Sequence, residues 1–227
     1  MVDLDAAGLS ARELNVRLRK LAARGEDVTL LNPRARHNIA VAIHDPCRIT
    51  VLGSVGYYAA SMLAGAEITI DGNAGWGLGE NMMSGRIVLT RSAGASVASS
   101  IRGGEMFVGG DVGARAGISM KGGTLVVGGN SGFLTGFMMQ KGRIVVCGDV
   151  GDAAGDSMYE GVIYVAGKIG SMGSDSRLDE ASEDELLDIW ETLEGYGVDD
   201  RPRFKKIVSS KKLYHFDSLE RLEKISI

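Results

Sequence analysis

The chain has 227 residues, a net charge of −4 and 24% charged residues, and a chain of this length favours one large domain, or one domain with appendages. Its basic residues are mixed with acidic ones, which argues against nucleic acid as a partner. Without a run of roughly 18 apolar residues, or the basic and apolar regions of a signal peptide, we expect a cytoplasmic protein.

The first 46 residues predict an N-terminal cap. Ser10 and Glu13 form a capping box, and Leu14, Leu18 and Leu21 follow at helical spacing. This pattern predicts a short amphipathic helix that ends at Gly25, followed by a strand over residues 27–31.

Residues 47–175 contain a glycine-marked repeat. A glycine recurs at Gly65, Gly85, Gly104, Gly123, Gly142 and Gly161, so the steps are nineteen residues four times and twenty once. Each unit joins a short strand of alternating apolar residues to a Gly-x-x-Gly turn. A fixed period this short indicates a solenoid whose neighbouring units bury one another's apolar face.

The turns and the interior define the predicted fold, an all-β, right-handed parallel β-helix of about seven coils. The second turn glycine occurs in every unit, where we expect positive φ or close backbone approach: Gly56, Gly75, Gly94, Gly113, Gly132, Gly151 and Gly170. One repeat position is predicted to form an interior column of Met62, Met82, Ile101, Met120, Met139 and Met158.

Residues 176–227 predict a C-terminal helix and a docking tail. A second capping box at Ser182 and Glu185 opens a helix that ends at Gly195. The tail mixes lysines with apolar residues at strand-like spacing over residues 204–208 and 211–216. The two helices are predicted to act as caps, because open solenoid ends expose unpaired backbone groups.

The outward strand positions form an apolar stripe. Its members, one in each successive coil, are Val88, Phe107, Val126, Val145 and Tyr164. Strands that are apolar on both faces are covered on both faces. Helix 183–194 could cover part of the stripe, and the remainder predicts an interface with a partner protein.

The residues point to no catalytic, cofactor-binding or metal site in this chain. Cys47 and Cys147 are isolated, and His37, His44 and His215 have no partner at metal-ligand spacing. The glycines of residues 75–79 are explained by the repeat rather than by a nucleotide-binding loop. Three aspartates crowd one turn but form no column between coils, which disfavours a calcium site: Asp149, Asp152 and Asp156.

The repeat resembles a known family. The Gly-x-x-Gly-x-x-x-Gly coils, clearest in residues 71–75 and 83–88, resemble the C-terminal β-helix domain of glutamate synthase large subunits over residues 35–175. The layout of a separate β-helix chain with a tail over residues 204–216 is most similar to the β-helix subunit of N-methylglutamate synthases.

The resemblance implies a scaffold that holds two partners together: an amidotransferase-like subunit, and a synthase-like subunit that carries FMN and an iron–sulfur cluster. The family's nucleophile, an N-terminal cysteine, has no counterpart here, since the chain begins Met1-Val2. A split glutamate synthase and formylmethanofuran dehydrogenase are alternatives that share the repeat. An independent carbohydrate-active β-helix protein is an alternative of a different class.

Overall fold

A computed structural model of the protein describes residues 1–211. The predicted tail segment 212–216, with His215, lies outside the described residues. The strands are β1 (Val2–Asp5), β2 (Val28–Leu31), β3 (Arg48–Leu52), β4 (Ala64–Asp71), β5 (Ser84–Leu89), β6 (Glu105–Val108), β7 (Lys121–Val127), β8 (Lys141–Val146), β9 (Val162–Val165), β10 (Ser176–Asp179) and β11 (Lys205–Ser209); the helices are α1 (Ala11–Ala22) and α2 (Glu183–Glu194).

The strands confirm a parallel β-solenoid. Strands β1 to β9 pair side by side in chain order, all in parallel, and β11 and β10 complete the same sheet. From β3 to β9 the register places one inward residue over the next at intervals of nineteen: Ile49, Ile68, Ile87, Met106, Leu125, Ile144 and Ile163. The register shifts near the start of two strands, between Ala64 and Glu67 in β4 and between Lys121 and Thr124 in β7. One nineteen-residue repeat of the sequence therefore corresponds to one coil of the solenoid.

The interior is a set of apolar columns along the axis. The predicted methionine column is buried in five of six coils, but Met62 was wrongly assigned to it: this side chain is 46% exposed, whereas Leu63 is fully buried. Met62 lies twenty residues before Met82, whereas Leu63 lies nineteen before it and so keeps the period of the repeat. The column therefore consists of Leu63, Met82, Ile101, Met120, Met139 and Met158. Burial of each side chain of this size stabilises the folded state by about 1.5–3 kcal/mol.

The turn glycines are required by close stacking of the coils. A Cβ on Gly113 would lie 2.8 Å from the Ala95 nitrogen and 2.9 Å from the Gly94 carbonyl carbon of the preceding coil. Left-handed φ is instead found at other glycines, such as Gly85 at a strand start and Gly79 at the second corner. Of the two predicted reasons for the turn glycines, close approach is the one that applies.

The N-terminal end is closed by α1. The helix buries Leu14 and Leu18 against the end of the core. The Asn15 amide donates to the Asn38 carbonyl (2.6 Å) and accepts from the Val41 N–H (2.8 Å). Arg19 donates to the Val41 carbonyl (3.0 Å). These side chains replace the backbone partners that a preceding coil would supply.

The solenoid begins earlier than the predicted boundary between residues 46 and 47. Strand β2 pairs with β3, and backbone N–H groups of residues 35, 38 and 42 donate to carbonyls of the next coil. Residues 28–46, assigned from the sequence to the cap, therefore form a stacked coil. The reason is that Ile39 and Ile43 are buried in the common core although the glycines of later units are missing here.

The C-terminal end is closed by strands rather than by the second helix. Strand β11 runs antiparallel to both β9 and β10 and places Ile207 beside Ile163 in the core. The apolar alternation of the tail therefore forms a closing strand. Helix α2 lies on the side of the solenoid. Over residues 1–211, no helix is long and apolar enough to cross a membrane.

Replacing Gly113 with alanine should destabilise the solenoid by about 1–3 kcal/mol, because the new methyl group overlaps backbone atoms of the coil before it. Urea unfolding followed by circular dichroism measures this loss. Gly195→Ala is the matched control, since Gly195 has a right-handed φ of −61° and its added Cβ would lie 3.3 Å from the Thr192 oxygen. Equal midpoints for the two variants would contradict the stacking argument.

Candidate functional site

The predicted interface stripe is covered by the chain itself. Phe107, Val126, Val145 and Tyr164 are buried under Leu186, Ile189 and Leu193 of α2 together with Phe204. Only Val88 remains half-buried at the edge of this cluster. The amphipathic helix α2 buries the apolar stripe. The prediction that these residues form an interface with a partner protein is therefore corrected.

Polar contacts fix α2 along its length. The Tyr164 hydroxyl and the Lys206 ammonium both donate to Oε1 of Glu185, at 2.8 and 2.6 Å. Burial alone would raise the pKa of Glu185, but hydrogen bonds from Lys206, the Ser182 N–H and Tyr164 outweigh it and lower the pKa to about 2. Burial and the adjacent Glu185 raise the pKa of Tyr164. The hydrogen bonds therefore require an ionised Glu185.

The segment after α2 is held by an aromatic contact. Tyr196 stacks on Phe107 with ring centroids 4.4 Å apart, and the Arg86 guanidinium lies 4.5 Å from the Tyr196 centroid on the ring face. The Tyr196 hydroxyl donates to Glu105 at 3.2 Å. Because Phe107 and Tyr164 lie at opposite ends of the buried part of the stripe, α2 and this segment span four coils.

The side chains that the sequence singled out for possible chemistry are dispersed. Cys47 and Cys147 lie in different coils, and burial raises the pKa of Cys147 to about 11, which disfavours a reactive thiolate. Asp149 accepts from the Lys168 N–H, and Asp156 accepts from the Ser157 hydroxyl. Within residues 1–211, no three His, Cys, Asp or Glu side chains could together hold a metal ion.

A surface that the sequence did not predict lies at the second corner of five successive coils. We call it the turn flank: residues 57–62, 76–81, 95–100, 114–119 and 133–138. These thirty residues include two charged ones, Glu80 and Arg115, whereas 24% of the whole chain is charged. Interface cores are depleted of charged residues and enriched in aromatic residues and Met. This composition makes the turn flank the candidate functional site.

Large apolar side chains stand at both ends of the turn flank. Trp76 is 57% exposed, and the other exposed large apolar residues are Tyr57, Tyr58, Met62, Phe133 and Met138. The middle coils place alanine and serine at the corresponding positions, for example Ala95, Ala114 and Ser119. The flank is thus a shallow saddle over five coils with large apolar side chains at its ends, and grouped exposed apolar side chains mark interaction sites.

The turn glycines position the aromatic end of this saddle. The rings of His37, Tyr57 and Trp76 stack in successive coils, with centroid distances of 4.4 and 5.5 Å. The Tyr57 ring occupies the space where a side chain at Gly75 would be, since a Cβ there would lie 2.5 Å from its Cδ1. Trp76 covers Gly94 in the same way.

The flank backbone is fixed by hydrogen bonds to both neighbouring coils. Tyr58, Ala60 and Met62 have φ of 57°, 54° and 56°, so every second residue of this corner has a left-handed φ. The Tyr58 N–H donates to the Trp76 carbonyl of the next coil (2.7 Å), and the Ala60 N–H donates to the Ile39 carbonyl of the previous one (2.9 Å). The left-handed residues are costly in isolation and persist because the stack determines them. The exposed side chains are therefore held on a rigid surface.

The sequence does contain a signal for this surface. Aligning the residue after each of the first five turn glycines gives a column whose two ends are aromatic: Tyr57, Trp76, Ala95, Ala114 and Phe133. The column ends there, because Asp152 and Ser171 follow the last two turn glycines. Alternation in the strands does not predict this surface, because the flank has no period of two.

The described residues thus form a parallel β-solenoid that carries the turn flank, a surface poor in charge, on its outside. A family model described as the GXGXG motif matches residues 34–192. The match spans more than half of the chain, and the chain belongs to this family, that of the glutamate synthase C-terminal region. A comparison with curated proteins gave no match.

Val145→Asp should release α2, because it places an uncompensated charge under the helix at a cost of about 3 kcal/mol or more. Hydrogen exchange measured by mass spectrometry should show faster exchange over residues 183–194 while β3 to β5 stay protected. Leu52→Asp, on an exposed strand position, serves as the control. Unchanged exchange in α2 would show that the stripe is not what holds the helix.

Acid should loosen α2 as pH falls from about 4.5 to about 2, the interval between the ordinary and the lowered pKa of Glu185. A depressed folded-state pKa contributes stability above this interval, and protonation removes it. Trp190, whose indole donates to the Pro202 carbonyl at 3.0 Å, reports this change by fluorescence in a Trp76→Phe background. Glu185→Gln should abolish the acid-dependent step; an identical step in that variant would assign it to other groups.

Proposed function

We propose that the chain is a non-catalytic scaffold subunit of a glutamate-synthase-like complex, most specifically of an N-methylglutamate synthase. Its task is to hold an amidotransferase-like subunit and a flavin and iron–sulfur synthase-like subunit together. The observation that carries the proposal is the rigid, nearly uncharged turn flank in a chain of the glutamate synthase C-terminal family.

The cysteine inventory supports a partner as the site of any iron–sulfur chemistry. A cluster of this kind needs about four thiolates, whereas this chain has two cysteines. Cys47 and Cys147 also lie in coils far apart along the solenoid. The residues of this chain therefore do not fit an iron–sulfur cluster, and we assign none to it.

A rigid solenoid suits the scaffold role for a physical reason. Each coil contacts only its neighbours, so the distance between two points on the surface is set by the number of coils between them, at about 4.8 Å per coil. The aromatic end of the turn flank, at Tyr57 and Trp76, and the Phe133 end are separated by three to four coils. A partner bound across this saddle would be fixed in position and orientation, which matters when an intermediate passes between active sites.

Affinity purification of the tagged chain from its host, with native mass spectrometry and absorbance spectroscopy, tests the proposal. We expect an amidotransferase-like chain and a yellow-brown flavoprotein to co-purify. Activity of this complex with methylamine and glutamate supports N-methylglutamate synthesis, whereas activity with glutamine and 2-oxoglutarate assigns a split glutamate synthase. A molybdenum or tungsten partner, or a chain that purifies alone, contradicts the proposal.

Trp76→Ser and Phe133→Ser should each reduce partner recovery by at least about tenfold, because large apolar anchors dominate interface energetics. Leu52→Ser is the matched control, since it also removes an exposed large apolar side chain but lies on strand β3, away from the flank. Melting curves confirm that each variant folds. Undiminished recovery with both flank variants would remove the turn flank as the docking surface.

A further inference from the structure

Three basic side chains lie near the starts of β6, β7 and β8, one in each of three successive coils. We call Arg102, Lys121 and Lys141 the basic row; all three are exposed. Within residues 1–211 none of them forms an ion pair. Lys121 and Lys141 are direct partners in the β7–β8 ladder. Like charges in this arrangement repel, so the row would be stabilised by an external counter-charge.

The outer face of α2 carries the opposite charge. We call Glu183, Asp184, Leu187, Asp188 and Glu191 the acidic ridge; all five are exposed. Asp184, Asp188 and Glu191 lie on the helix side opposite the buried Leu186, Ile189 and Leu193, and Glu183 and Leu187 lie beside them. Among the described residues, Glu183, Asp184 and Glu191 form no ion pair. Leu187, in the middle of the ridge, is 48% exposed. The ridge thus combines an uncompensated negative charge with an apolar centre.

The row and the ridge run side by side. Helix α2 follows the solenoid axis, since Glu185 contacts Tyr164 of β9 whereas Tyr196, just beyond the helix, contacts Phe107 of β6. Asp188 pairs with Arg143, which lies two residues after Lys141 on β8. This one ion pair bridges the boundary between the ridge and the row. Two parallel strips of opposite charge therefore cover about the same coils.

We infer that this face is an interface between two copies of the chain, related by a two-fold axis parallel to their solenoid axes. Rotation about such an axis exchanges the two strips, so the ridge of each copy lies on the row of the other. Two adjacent, parallel strips of opposite charge are self-complementary, as an isologous interface requires. Leu187 of one copy would meet the apolar stems of the partner row. This dimer goes beyond the scaffold role and does not depend on it.

Sedimentation velocity of the full purified chain tests the dimer. We expect a dimer at an ionic strength of about 0.05 M that dissociates at about 0.5 M, because screening weakens exposed charge pairs. The double variant Lys121→Glu/Lys141→Glu should weaken association by at least about tenfold, as should Asp184→Lys/Glu191→Lys, since each places like charges together. A chain that is monomeric at every salt concentration and protein concentration overturns the inference.

Combining the four reversals should restore the dimer, because the strips are then exchanged in sign and remain complementary. The matched control is Arg12→Glu/Lys20→Glu on exposed positions of α1, which changes the net charge equally but leaves both strips intact. Circular dichroism confirms folding of each variant. A dimer that survives both pairs of reversals, or that responds equally to the control, overturns the inference, as would binding of an acidic partner protein in place of a second copy.

Discussion

The structure depends on the distance of close approach between successive coils at the turn glycines. Backbone stacks on backbone there, and a Cβ on Gly113 would fall within 3 Å of two main-chain atoms of the coil before it. The constraint propagates, since the same spacing lets the strands pair in parallel and the inward side chains form continuous columns. Because the turn glycines have no side chain, they also leave space outside the turn that the rings of Tyr57 and Trp76 occupy. One steric requirement thus sets the fold, the core and the aromatic end of the turn flank.

A stack of this kind leaves two further demands, and different residues meet them. The first coil lacks a predecessor, and Asn15 and Arg19 of α1 supply the missing hydrogen bonds. The strands are apolar on their outer face as well as their inner face, and α2 covers that outer stripe from the side. The end nearest the C-terminus is instead closed by β11, which continues the ladder in the opposite direction. The backbone hydrogen bonds at the two ends and the burial of the outer apolar stripe are therefore provided by different segments of the chain.

The repeat made the fold predictable, because the glycine spacing and the alternation in each strand are local features of the sequence. The assignments that failed depended on register or on long-range packing. Met62 was assigned to the core because it is a methionine, but Leu63 is the residue that lies one repeat of nineteen before Met82 and is buried. The stripe from Phe107 to Tyr164 was correctly identified as needing cover, but its cover came from the chain's own helix, whose position depends on contacts such as Glu185 with Tyr164. The turn flank was not predicted because every second residue of its backbone has a positive φ, a pattern for which side-chain periodicity gives no rule.

The correction of the stripe changes how contact surfaces are recognised in this chain. An apolar stripe with a period of two is explained by burial within the chain, since a nearby amphipathic helix can supply its cover. The turn flank differs because its backbone already satisfies its hydrogen bonds by coil-to-coil contacts, yet Trp76 and Phe133 stay exposed. A surface that is rigid, poor in charge and uncovered has no further structural task to perform within residues 1–211. A scaffold needs surfaces of that kind. Because the solenoid is stiff along its axis, the number of coils between two such surfaces fixes the distance between them.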